Sequence, residues 1–171
     1  MGKFLAVLLL GSAVIAGASM YYLQVYGLYD EVTERDVKLV SVVDDLPESI
    51  NFDNFEAIDS ESSPIRYRAC FTTDLSLSLL TETYVGLESV KLRNAPEWFD
   101  CFDAGAIDAQ LLAGTALPFL GEKNVRFGVD RIVVITDDGR GYIWHDLNDC
   151  GDKAYDGTIV GEECPGRETS E

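Results

Sequence analysis

Residues 4–29 run for 26 positions without a charged side chain, and Gln24 is the only strongly polar one among them. At ~1.5 Å of rise per helical residue the run is about 39 Å long, more than a hydrocarbon core of ~30 Å requires. The chain is therefore expected to enter a membrane at its start, and everything after Asp30 is a domain delivered to one side. Lys3 precedes the run, and Asp30 and Glu31 stop it. Tyr21, Tyr22, Tyr26 and Tyr29 cluster towards its end, as tyrosines do where an apolar ring meets lipid and a hydroxyl meets water. Gly11, Gly17 and Ala18 leave room for a second helix, although small residues also simply tolerate lipid. The rival reading is a cleaved secretory signal, with residues 4–15 as its apolar core and Ala16-Gly17-Ala18 as the cleavage site. Cleavage would leave a mature end starting at Ser19 that is still strongly apolar. The length of the run favours an uncleaved anchor over residues 1–29, with 1–3 as a cytoplasmic tip.

Positive charge does not orient the anchor, because Lys3 on one flank faces Arg35 and Lys38 on the other. The cysteines do. Cys70, Cys101, Cys150 and Cys164 all follow the run, are even in number and contain no Cys-x-x-Cys pair. Behind a secretion-type segment they read as two disulfides in an oxidising compartment. Three pairings are possible, and neighbours in sequence meet most easily, which favours Cys70 with Cys101 and Cys150 with Cys164. The expected location is a bacterial inner membrane, single-pass, with the domain in the periplasm.

Thirty carboxylates stand against 13 basic side chains, a net charge of −17. Such a field repels nucleic acid and anionic lipid, so nucleic-acid binding is not expected. It would draw cations or a basic partner, and its simplest role is solubility. The ~140 residues after the anchor suffice for one domain and are too few for two of ordinary size.

Within that part, residues 30–64 read as a membrane-proximal strand (36–43) followed by an exposed, irregular connection (47–64) rich in Asn, Asp and Ser. Residues 65–165 form the main body. A strand over 65–72 carries Cys70, and 75–92 is ambiguous between strand and helix. Asp103 is an N-cap for a helix over 104–113 ended by Gly114, with Ile107, Leu111 and Leu112 on its apolar face. Residues 117–121, Leu-Pro-Phe-Leu-Gly, read as a turn. The run 127–136 is a strand, and Asp138-Gly139 between it and Tyr142-Ile143-Trp144-His145 signals a hairpin. Residues 166–171 are a polar tail. The whole predicts an α+β fold: one N-terminal transmembrane helix, then a small antiparallel-sheet domain with one or two helices.

No constellation assembles chemistry. Residues 146–152 resemble the start of a calcium loop, but position five is Cys150 and position twelve is Gly157 instead of a bidentate glutamate. His145 is the only histidine; flanked by Trp144 and Asp146 on alternating faces, it reads as a partly exposed residue. No Gly-x-Ser-x-Gly elbow accompanies it. Asp137-Asp138-Gly139-Arg140-Gly141 leads into a strand, whereas a phosphate cradle opens a helix. Catalytic, metal and cofactor-binding residues are accordingly expected to be none. Trp98, Phe99 and Phe102 form the densest aromatic patch, a candidate partner surface if exposed and core if not.

The anchor ending in Tyr-Tyr-Leu-Gln-Val-Tyr, the stretch Trp98-Phe99-Asp100-Cys101-Phe102-Asp103-Ala104-Gly105, and Gly128-Val129-Asp130-Arg131 with Asp138-Gly139-Arg140-Gly141 together resemble an uncharacterised family of small, N-terminally anchored bacterial envelope proteins of unknown function. The resemblance implies no activity and assigns no residue a role. The expected function is a non-enzymatic, membrane-anchored interaction or assembly module for an envelope protein partner. A small-ligand or cation-binding sensor domain is the alternative, and a hydrolase or redox enzyme without a readable motif comes after it.

Overall fold

A computed structural model describes residues 2–33, 35–162 and 164. The apolar run is a helix, α1 (Gly2–Tyr22), continued by one π-helical turn, Leu23–Gly27. Together they form a 26-residue segment long and apolar enough to cross a bilayer, and none of its most apolar window is buried against the domain. The polar tail expected at 166–171 lies outside the described residues.

The domain is built on an antiparallel sheet of six strands, β1 (Asp30–Glu31), β4 (Asp53–Asp59), β5 (Arg68–Thr72), β8 (Arg140–Leu147), β7 (Val129–Thr136) and β6 (Ala116–Arg126), in that spatial order. A separate ribbon pairs β2 (Lys38–Val40) with β3 (Pro47–Ser49). Two further helices, α2 (Leu77–Thr83) and α3 (Ala104–Ala113), complete a mixed α+β fold.

Strand β7 shows why the sheet is buried on both sides. Ile132 and Val134 face one layer, Val133 and Ile135 face the other, and all four are buried. On one face Ile143, Ala69, Phe71 and Phe119 pack with Leu39 of the ribbon and Leu80 of α2. On the other, Trp144, Tyr142 and Cys70 pack with Phe99, Phe102 and Ile107 of α3. A continuous β-branched run is what a strand covered on both faces requires.

Local signals close the elements as their chemistry dictates. The Asp103 carboxylate accepts from the amides of Gly105 (2.9 Å) and Ala106 (3.1 Å), and Gly114 ends α3 at φ 73°. Ser76 caps α2 by accepting from Leu79 N at 3.3 Å, so 77–83 of the stretch 75–92 is helix, while Tyr84 and Gly86 form isolated antiparallel bridges. The β7–β8 turn places Gly139 at φ 83°, where an L side chain is strained. Leu112 departs from the expected apolar face: it is exposed, because it follows the buried Ile107 by five residues and not by three or four.

Two segments read as irregular are strands. The stretch 47–64 contains β3 and β4, and β4 buries Phe55, Ala57 and Ile58. Its alternation is hidden by a register shift between Asp53 and Glu56 and by Asn54 at φ 52°. Residues 117–121 belong to β6. Pro118 fits there because its carbonyl accepts from Leu87 N at 2.9 Å, on the side away from β7. Its nitrogen faces the same way, so no hydrogen bond to β7 is lost.

Candidate functional site

The end of the N-terminal apolar helix is held by the domain through contacts centred on one side chain, Trp98. The last carbonyls of any helix lack intrahelical donors. Here the Val25 carbonyl accepts from the Trp98 indole Nε1–H at 2.6 Å. The Trp98 ring stacks on Tyr26 (centroids 6.2 Å apart), which stacks in turn on Tyr22 (5.9 Å), and meets Tyr29 edge-on at 5.9 Å. Arg66 places its guanidinium 5.6 Å from the Tyr29 centroid. Tyr26 and Tyr29, expected from the sequence to lie in an interfacial belt, thus take part in a clasp between helix and domain.

Trp98 is positioned from behind by the second sheet face. Phe99 and Phe102 are buried there, so the aromatic patch is not a partner surface for these two residues; large apolar rings beside the Cys70–Cys101 bridge fill the core. Trp98, half-buried, is spent on the chain's own helix. Arg68 fastens the same segment. It is buried, donates to the carbonyls of Asn94 (3.1 and 2.8 Å), Ile65 (3.0 Å) and Tyr67 (2.6 Å), and lies 5.7 Å from the Phe102 centroid. Burial lowers its pKa to about 10, which leaves it charged at neutral pH. Beside it, Arg93 pairs with Asp146 through a two-pronged contact on one carboxylate oxygen. Asp146 is therefore engaged in an ion pair.

The cysteines form Cys70–Cys101 and Cys150–Cys164, bridging neighbours in sequence. The first links the middle of β5 to the segment carrying Trp98. The second closes a largely exposed loop in which Lys123 of β6 pairs with Glu162 at 2.8 Å.

His145 is not partly exposed but buried, at 4% relative exposure. Its ring stacks on Tyr67 with centroids 4.6 Å apart. Nδ1 lies 2.9 Å from the Pro64 carbonyl, which can only accept, so Nδ1 carries the proton. Nε2 then accepts from Arg131 Nε at 3.2 Å. Both nitrogens are committed, which leaves no lone pair for a metal or a general base. Burial first, then the Arg131 charge, lowers its pKa to about 4. The unfolded chain takes up this proton near pH 6.5, and the native fold resists it down to about pH 4. Acidification through that window therefore favours unfolding, by up to ~3 kcal/mol at its lower end. Urea midpoints between pH 7 and 4 are expected to fall more steeply for the native chain than for His145→Phe. Equal slopes would show that the ring titrates freely.

Among the described residues no group of three or more His, Cys, Asp or Glu side chains is arranged to hold a metal ion. Neither Trp98–Val25 nor Arg131–His145 was legible in the sequence, since no motif or spacing links their members.

One apolar helix of membrane-spanning length followed by a disulfide-stapled α+β domain is the class of protein these features define. Residues 37–165 match the model of a family of unknown function, DUF6446, and the chain belongs to that family. The match covers the stapled domain from Val37 onward and leaves out the helix and β1. No curated protein and no solved structure matches the chain.

Proposed function

We propose that this protein is a single-pass inner-membrane protein that presents its acidic domain in the periplasm as a non-enzymatic interaction or assembly module. The observation that carries this reading is the Trp98 clasp. A module that meets a membrane-bound partner gains from a fixed attitude, which a flexible tether does not give. The indole bond to Val25 and the stack on Tyr26 hold the domain against the helix end, which supports a fixed attitude of the domain towards the helix. Support also comes from the two disulfides, which suit an oxidising compartment. The net charge of −17 favours a basic partner face.

Losing the indole bond and the stacking costs about 2 kcal/mol of local docking, which raises the undocked population roughly thirty-fold. In Trp98→Ala, proteolysis between the helix and β2 is therefore expected to accelerate while the global unfolding midpoint stays put. The functional test is crosslinking on intact spheroplasts with a membrane-impermeant amine reagent. A reproducible set of crosslinked envelope proteins that disappears in Trp98→Ala supports the proposal. No crosslinked partner, or a set indifferent to Trp98→Ala, overturns it.

A further inference from the structure

Beside the clasp, the end of the membrane helix and the loop 94–97 enclose a crevice of about 350 Å³. Tyr21, Gln24, Tyr26 and Tyr29 line it from the helix side, and Asn94 and Glu97 from the loop. We propose that this crevice binds the zwitterionic headgroup of an amine-bearing phospholipid of the surrounding bilayer; the inference rests on the membrane-anchored reading above.

Depth is the first argument. Counted from Phe4, Tyr21 stands ~26 Å along the helix axis, close to the far edge of a ~30 Å hydrocarbon core. The crevice thus opens at the level of headgroups, where lipid is always present.

The chemistry of the lining is the second. Tyr26 is occupied by its stack with Trp98, and Tyr29 by the Arg66 guanidinium. Tyr21, 62% exposed, is the ring that remains to meet a ligand, and Glu97 is the carboxylate. An aromatic face and a carboxylate together select an ammonium group. The side-chain amides of Gln24 and Asn94 supply N–H donors for phosphate oxygens. No lysine or arginine is among the described residues that line the crevice, and Arg66 beside it is engaged with the Tyr29 ring, so a net-anionic headgroup is poorly matched. The acidic domain above disfavours such a lipid further. Phosphoethanolamine, with N–H groups to give to Glu97 and a phosphate to take from the amides, satisfies each feature.

The test uses the full chain reconstituted into vesicles of equal parts phosphatidylethanolamine and phosphatidylglycerol. Flotation is measured first, then the protein is extracted gently and its retained lipids are quantified by native mass spectrometry. Phosphatidylethanolamine is expected to be enriched about threefold to fivefold over the bulk, the size of preference an exposed cation–π contact confers. Tyr21→Ala combined with Glu97→Gln, both at exposed positions, is expected to bring the ratio back to one with the unfolding midpoint unchanged. Equal retention of the two lipids by the native chain, meaning annular lipid only, overturns the proposal. Enrichment that survives the double substitution overturns it too. A chain that fails to float overturns the membrane reading itself and this proposal with it, and is distinguished by the flotation step.

Discussion

Replacing Trp144 with alanine is expected to lower the unfolding free energy by about 4 kcal/mol. Trp144 is the largest fully buried side chain, seated on β8 between Arg68 of β5 and Ile132 of β7. Its indole N–H donates to the Lys91 carbonyl at 3.1 Å, and Phe102 meets it edge-on at 6.3 Å. Truncation removes the apolar body that separates the sheet from the 91–102 segment and leaves a carbonyl without its donor. That face cannot collapse to compensate, because Arg68 and the Cys70–Cys101 bridge hold the segment at a fixed distance from the sheet. Urea unfolding of the full chain in mild detergent, followed by far-UV circular dichroism, gives the number. Trp144→Phe is expected to cost less than half as much, since it keeps the ring and loses only the bond and part of the volume. A loss below ~1.5 kcal/mol for alanine would mean that the segment relaxes onto the sheet.

Removing the Cys70–Cys101 bridge as the paired serine variant comes next, at about 3–4 kcal/mol in the chain-entropy model for a separation of 31 residues. The effect is global because the bridge joins β5, in the middle of the sheet, to the loop that carries Phe99 and Phe102 into the core. The same loop carries Trp98, so the clasp on the helix is expected to loosen in step with the core. Cys150–Cys164, with a separation of 14, behaves differently. Its loop is largely exposed, with Tyr155, Ile159 and Val160 turned to solvent, so little of the core depends on its closure. Serine at Cys150 and Cys164 is expected to leave the urea midpoint nearly unchanged and to speed proteolysis within residues 150–162. Equal midpoint losses for the two pairs would show that the C-terminal loop folds cooperatively with the sheet.

These two results depend on features of very different legibility. Asp103, Gly114 and the Asp138-Gly139 turn could be read directly, because caps and hairpin turns are set by the conformational preferences of one or two residues. The position of β4 could not. Asp53, Asn54 and Glu56 carry the composition of a loop, yet they are exposed members of a strand whose Phe55, Ala57 and Ile58 face the core. Pro118 and Gly121 misled in the same way. A proline is acceptable in β6 only because its nitrogen faces away from β7. Gly121 lies against Val133 and Arg131, where a Cβ would crowd them. Composition cannot tell an edge strand from a turn when the deciding fact is which neighbour lies on which side.

The candidate site divides along the same line. A bilayer-length helix, an aromatic cluster at its end and an even set of cysteines follow from counting residues along the chain, since hydrophobic length and covalent pairing are properties of short stretches. That Trp98 reaches back 73 residues to the Val25 carbonyl, and His145 81 residues to that of Pro64, is written in no stretch of the chain. Those contacts exist because the sheet is covered on both faces. The loop 94–102 must lie over one face to bury Phe99 and Phe102, and in doing so it brings an indole N–H to a helix end that lacked a donor. The other face buries His145, whose ring then has only the Pro64 carbonyl and Arg131 to bond. Burial is decided by the sum of distant contacts, so a histidine and a tryptophan that look available along the chain are both already used in the fold.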